Sequence, residues 1–215
     1  MQNLLKSHKL TQEQLAKTLM PLGGYSKEEV RLIAQKAGIS VAGKHDSQEL
    51  CFIVEGSHAD YIDAMKGIDI PKGNFVDKEG NILGEHKGIH HYTIGQRKGL
   101  EIALGSPRYV TKIDPDTNNI VLGEEEDLMK TEVFCTDLNF VGIASVEPGE
   151  KIRCRVKIRY AHKAQDAYIS YVGKNLIKID FDESVRAASP GQSAVFYDDE
   201  NCVLGGGRII EYTRA

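Results

Sequence analysis

Ten residues, Lys151 to Tyr160 (KIRCRVKIRY), alternate charged and apolar side chains up to the closing tyrosine. Successive side chains of an extended chain point to opposite faces, so this pattern fits a half-buried strand and not a helix. Ile152, Cys154, Val156 and Ile158 fall on the inner face, and Lys151, Arg153, Arg155, Lys157 and Arg159 on the outer one. Similar strand-length runs surround it: VFCTDLNFVG, DAYISYVG, NLIKIDFDE and QSAVFYDDENCVLGGGRIIE. Strands and turns that alternate without intervening helices predict a compact antiparallel barrel or sandwich from about Thr131 onward. Same-face neighbours on a strand lie about 6–7 Å apart, comparable to the phosphate spacing of a nucleic-acid strand. Five cations in one row repel one another unless anions lie nearby. Acidic residues on adjacent strands or the phosphates of a bound nucleic acid would both serve.

Upstream the pattern changes. From Thr11 to about Ser40 apolar residues recur at helical intervals, with PLGGY as a break. Ser26 followed by Glu29 is a capping-box signature ahead of Val30, Leu32, Ile33 and Ala37, and Gly38 suits a helix stop. Such a helical hairpin cannot bury its apolar faces alone, and we expect their partner to lie outside the chain. Between Glu49 and about Leu128, short strands recur around DKEG (Asp77–Gly80) and PDTNN (Pro115–Asn119), two hairpin-turn sequences. One helix, ADYIDAMKG, interrupts them, and the acidic EEED at Glu124–Asp127 is the expected boundary with the second run of strands. The fold class predicted is therefore mainly β with some α: an N-terminal helical hairpin, a small central α+β domain and a C-terminal antiparallel β-barrel.

Bulk properties exclude some classes of function. With 41% hydrophobic and 27% charged residues, and no apolar run near the roughly 20 residues a bilayer span needs, a membrane-spanning helix is excluded. The start, MQNLLKSHKL, lacks the apolar stretch of a secretory signal, which places the expected location in the cytoplasm. Cys51, Cys135, Cys154 and Cys202 form no CxxC pair and no close Cys/His group, so reduced thiols and no zinc are expected. A net charge of -4 does not by itself mark a nucleic-acid binder, and any such function must come from local charge.

Local charge is uneven. GEHKGIHHYTIGQRKGL, Gly84 to Leu100, is punctuated by Gly84, Gly88, Gly95 and Gly99 and ends in a Gln96-Arg97-Lys98 tip suited to an RNA backbone. His86, His90 and His91 have no carboxylate or cysteine at ligand spacing, so structural histidines and no metal are expected. Cys51, in KHDSQELCFIVEG, is either a small buried hydrophobe ahead of Phe52, Ile53 and Val54 or a reactive thiol near Lys44, His45 and Ser47. Cys135, Cys154 and Cys202 sit in strand-like runs and are expected in the core. LGGGRII, Leu204 to Ile210, has no following Lys-Ser/Thr and no helical pattern, so it predicts a bulge between closing strands and not a phosphate loop.

LTQEQLAKTLMPLGGYSKEEVR, DSQELCFI, GEHKGIHHYTIGQRKGL, ASPGQSAVFYDDE and CVLGGGRI, in this order, resemble the tRNA-specific 2-thiouridylases, over nearly the whole chain from about Leu10. That resemblance implies a tRNA sulfurtransferase that thiolates the 2-position of the wobble uridine, with ATP activating the uridine oxygen and a cysteine persulfide delivering sulfur. It implies three parts: residues 1–47 as a helical remnant of a PP-loop ATP pyrophosphatase domain, 48–128 as the central domain, and 129–215 as the tRNA-binding barrel. The SQ-x-x-CF cysteine is Cys51, which the resemblance makes the persulfide carrier. The barrel's tRNA contacts map onto Arg159, Tyr160 and Gln192. From the residues themselves we add Arg153, Arg155, Lys157, Gln96, Arg97 and Lys98 as RNA-binding candidates.

The family's SGGxDS ATP loop, catalytic aspartate and partner cysteine have no counterpart in the 215 residues, and MQNLLKSHKL departs from the family's lysine-acidic-glutamine start. ATP is thus expected to bind outside the chain, on a PP-loop half, with tRNA and a sulfur donor or relay protein as the other partners. On this reading the isolated chain is inactive. The alternatives are a non-catalytic tRNA-binding module and an inactive truncated relic.

Overall fold

The alternating run at Lys151 forms one stave of a closed six-stranded barrel. The computed structural model describes residues 9–43, 58–65, 70–160 and 162–212. Among these, three helices fall in one unit of the chain and ten strands in a second.

The helices are α1 (Gln12–Ala16), α2 (Lys27–Lys36) and α3 (His58–Ala64). The capping box at the start of α2 is complete. Glu29 N–H donates to Ser26 Oγ (3.3 Å), and Ser26 N–H donates to a Glu29 carboxylate oxygen (2.6 Å). Gly38 ends the helix with a φ of +73°, a conformation glycine adopts without a Cβ penalty. Neither α1 nor α2 contains a buried residue, and Leu19, Leu32 and Ile33 are exposed.

Strands β1 (Gly73–Val76), β2 (Ile82–His86), β3 (Tyr109–Asp114) and β4 (Asn119–Gly123) form a sheet of order β2-β1-β4-β3. Both predicted hairpin turns are present. Asp77 Oδ1 accepts from the N–H groups of Glu79 (3.0 Å) and Asn81 (2.8 Å) in the first, and Asp114 Oδ1 accepts from Asp116 (3.1 Å) in the second. The two hairpins join through β1 and β4, which pair in parallel, a pairing that the turn sequences do not announce. Phe75, Tyr92, Leu100, Val110, Ile120 and Leu122 make the core of this sheet. His86 is buried in it. One ring nitrogen, Nε2, lies 3.1 Å from the Asn118 carbonyl, and Nδ1 accepts from Gly88 N–H (3.1 Å). Those partners fix a neutral tautomer, and burial lowers its pKa from the ordinary imidazole value.

The barrel strands are β5 (Met129–Phe140), β6 (Lys151–Lys157), β7 (Gln165–Gly173), β8 (Leu176–Arg186), β9 (Ser193–Tyr197) and β10 (Val203–Ile210). They close in the order β10-β5-β8-β7-β6-β9, and each pairing is antiparallel. Cys154, Val156 and Ile158 point into the interior beside Ile169, Ile179 and Phe196, as the alternation requires. LGGGRII lies in β10, with register shifts against both neighbours. At Gly207 a Cβ would fall 2.8 Å from Leu138 Cδ2 and from the Thr136 carbonyl oxygen, so glycine is there to admit the adjacent strand.

Cys202 departs from the expected core position. It is exposed, not core, and sits in the β9–β10 turn. The carboxylate of Asp198 accepts from the N–H groups of Glu200 (3.0 Å) and Cys202 (2.7 Å), and this side-chain capture bends the chain out of the sheet.

Candidate nucleic-acid interface

The outer face of β6 is basic, but its cations do three different things. Arg153 makes a two-pronged contact with Asp182 on β8 (2.8 and 2.6 Å) and lies over the Tyr168 ring, 4.9 Å from its centroid. Its charge is thus answered by an acid on another strand. Arg155 reaches the β9–β10 turn, where Nη2 donates to the carbonyls of Asp198 (2.8 Å) and Asp199 (2.9 Å) and to Asn201 Oδ1 (3.0 Å). Lys157 lies 5.6 Å from the ring centroid of Tyr160, which is 62% exposed. Lys151 is exposed at the far end of the strand.

Arg159 links the barrel to the central sheet. Its Nη2 donates to the Ile94 carbonyl (3.1 Å) and to Ser189 Oγ (2.5 Å). Ser189 is buried, and its Oγ also reaches the Ala187 carbonyl (3.2 Å). One guanidinium therefore ties together three segments distant in sequence: the loop holding Gln96, Arg97 and Lys98, the Arg159-Tyr160 end of β6, and the turn leading to Gln192. A second guanidinium supports the same seam. Arg186, the last residue of β8, lies over the Tyr109 ring (5.4 Å) and donates to Glu125 (3.3 Å) and to the Gly95 carbonyl (3.5 Å). Gly95 has a φ of +90°, and a Cβ on it would meet Ala187 Cβ at 3.1 Å, so the loop comes this close only because that residue is glycine.

Within the loop, Gln96 braces the turn. Its Oε1 accepts from Thr93 N–H (3.0 Å), and Nε2 donates to the Lys98 carbonyl (3.0 Å). Arg97 and Lys98 are left exposed at the tip. On the opposite side of the seam, Gln192 N–H donates to the Ser189 carbonyl (3.2 Å) and its own carbonyl accepts from Ile209 N–H (2.7 Å), while the residue as a whole is exposed. Arg97, Lys98, Tyr160 and Gln192 are thus exposed residues carried on elements that Arg159 holds together.

Electrostatics at the seam are one-sided. Burial, and then the charge of Arg186, lower the pKa of Arg159 from the usual guanidinium value. His162 is likewise lowered, by burial first and then by Arg159, Arg186 and Lys157. Cys135 and Cys154 are buried in the barrel core. Burial pushes the thiols of Cys135 and Cys154 up to about 12, which leaves both protonated at neutral pH and poor nucleophiles. Cys51 lies outside the described residues.

Arg159, Arg153, Arg155, Lys157, Tyr160, Gln192 and the Gln96-Arg97-Lys98 tip were each legible as candidates. Arg186, Tyr109, Glu125, Ser189 and His162 were not. The partners of Arg186, Tyr109, Glu125 and Ser189 lie in other segments of the chain, and no local pattern marks any of the five.

Three family descriptions of consecutive segments match the chain: the tRNA methyl transferase HUP domain over residues 5–55, the tRNA methyl transferase PRC-barrel domain over 60–124, and the aminomethyltransferase beta-barrel domain over 130–209. A tRNA-specific 2-thiouridylase MnmA from Clostridioides difficile (strain 630) is 50% identical over 204 residues, which is 95% of this chain and 55% of that protein. The chain belongs to the tRNA-specific 2-thiouridylase family. Family members of the same name from Clostridium botulinum (strain Alaska E43 / Type E3) and Lachnoclostridium phytofermentans are 49% and 47% identical over the same length, covering 95% of this chain and 55% and 56% of theirs. The chain spans about half the length of these curated family members. Its barrel and the seam at Arg159 lie within the matched segments. Among the described residues no helix is long and apolar enough to cross a membrane.

Proposed function

We propose that this chain supplies the tRNA-gripping barrel and the sulfur-carrying thiol, Cys51, of a tRNA uridine 2-sulfurtransferase acting on the wobble position. The observation that carries the reading is the near 50% identity with proteins named tRNA-specific 2-thiouridylases, continuous over 204 residues. The seam at Arg159 supports it, because it gathers exposed cations and an exposed tyrosine from three loops, a combination suited to phosphate contact and base stacking. On this reading Arg159 anchors the surface. Tyr160 and Gln192 meet the RNA, Arg97 and Lys98 contact its backbone, and Lys157 adds charge beside Tyr160. Further along β6, Arg155 adds charge where it meets the β9–β10 turn, and Arg153 meets RNA only by exchanging its Asp182 partner for a phosphate.

ATP, bound on a PP-loop half outside these residues, would supply activation of the uridine oxygen as a leaving group. The chain's own part is to hold the RNA and present sulfur on Cys51, loaded by a donor or relay protein. The buried states of Cys135 and Cys154 support this choice of thiol, and Cys202 stands in an acidic turn, Asp198–Glu200, that repels a polyanion. We place the protein in the cytoplasm, where such thiols stay reduced.

Loading the chain with sulfur from a cysteine desulfurase and free cysteine tests this directly. Peptide mass measurement is expected to find one added sulfur on Cys51, removable by a thiol reductant. Added sulfur on Cys202 instead, or none on Cys51, would overturn the assignment.

A further inference from the structure

We propose that Arg159, Arg186 and His162 form a subsite for one phosphodiester of the RNA, in which His162 takes up a proton from solvent as the phosphate docks. The inference rests on the tRNA-binding reading above and adds to it a specific anion site and a proton.

The first observation is a deficit of negative charge. Among the described residues no carboxylate pairs with Arg159 or with Lys157, and Arg186 has a single such partner, Glu125 at 3.3 Å. Arg159 meets only neutral oxygens, and its Nε is buried without a hydrogen-bond partner. A guanidinium that is part-buried, beside a second one and unpaired with acid is costly to hold unless an anion completes it. Nη2 is occupied by Ile94 and Ser189 and Nε is buried, so Nη1 is the nitrogen left to meet a phosphodiester oxygen, which also brings the missing negative charge.

The second observation is where His162 stands. It follows the end of β6, with its backbone N–H donating to the Arg159 carbonyl (3.2 Å). The charged groups that act on it are Lys157 and Arg159 from that same stretch and Arg186 from the end of β8, and every one of them is a cation. In the free protein these neighbours and burial keep the imidazole neutral near pH 7. A docked phosphate reverses the sign of the local field, so the folded complex holds the proton at a higher pH than the free protein does. By linkage, RNA affinity is then greatest below the free-state value, falls as pH rises from there through the bound-state value, and levels off above it.

Binding of a fluorescently labelled tRNA, measured at constant ionic strength from pH 5.5 to 8.5, is expected to weaken about fivefold to tenfold across that range, since one unit of pKa shift corresponds to a factor of about ten. His162→Gln is expected to flatten the profile. In a parallel measurement, the His162 ring resonance in the wild-type chain should titrate at higher pH when a short single-stranded oligoribonucleotide is present. An identical pH profile in His162→Gln, or a ring titration that RNA does not move, overturns the subsite. Failure of tRNA to bind at any pH refutes the tRNA-binding reading itself, and the subsite with it.

Discussion

Replacing Arg159 with alanine is expected to weaken tRNA binding about ten- to a hundredfold, because hydrogen bonds from a charged group contribute about 1.5–3 kcal/mol and a factor of ten is about 1.4 kcal/mol. Two effects add. The substitution removes a cation from the proposed phosphate contact, and it cuts the bonds to the Ile94 carbonyl and Ser189 Oγ that join the 94–98 loop to the turn before Gln192. Salt titration separates them. Loss of a phosphate contact lowers the slope of log affinity against log salt by about one, whereas loosened loops lower affinity with the slope unchanged. Arg159→Lys keeps the charge but cannot span both oxygens in one plane, so it should recover only a small part of the loss. Binding by Arg159→Ala within twofold of wild type would show that the seam is structural only.

Phe196→Ala is expected to destabilise the barrel by about 3–5 kcal/mol, the usual cost of truncating a buried phenylalanine. Phe196 is fully buried in β9, in the barrel core, with its ring 6.5 Å from that of Phe140. In register it sits opposite Val156 of β6, and the β6–β9 pairing that closes the barrel runs only from Arg155–Tyr197 to Lys157–Val195. A cavity at that seam weakens the joint at which β6 leaves the sheet and delivers Arg159. For a domain of this size each kcal/mol moves the midpoint by about 4–8 °C, so the barrel's thermal transition should fall by about 12 °C or more. A drop below about 5 °C would mean that the β6–β9 joint is not where the barrel's stability resides.

The parts of the fold that sequence foretells are those decided by near neighbours. Alternation from Lys151 to Arg159 gives a strand because period two is a local property, and Asp77 and Asp114 make their turns by bonding to amides within four residues. The Ser26–Glu29 box is likewise closed over three residues. What sequence does not foretell depends on chain-distant partners. The parallel pairing of β1 with β4 follows from how two hairpins meet, and neither hairpin encodes it. Cys202 has apolar strand residues close by on both sides, yet the carboxylate of Asp198 holds its amide in a turn and the residue is exposed.

The candidate site shows the same division. Sequence marks the basic row, but not that Arg153 is answered by Asp182 on another strand, or that Arg155 closes a turn. Arg159 looks like its neighbours in the alternation. Only the fold shows that it reaches Ile94, 65 residues away, and Ser189, 30 residues away.

On the proposed function, Arg159 assembles three loops into one RNA-facing surface. Hydrogen exchange of the chain with and without tRNA measures this directly at the amides concerned. Slowed exchange on tRNA binding is expected in three separate stretches together, around Gly95–Lys98, Lys157–Tyr160 and Gly191–Gln192, with all three lost in Arg159→Ala. Slowing confined to the far strands of the central sheet or to the Asp198–Cys202 turn, with those three stretches unchanged, would contradict it.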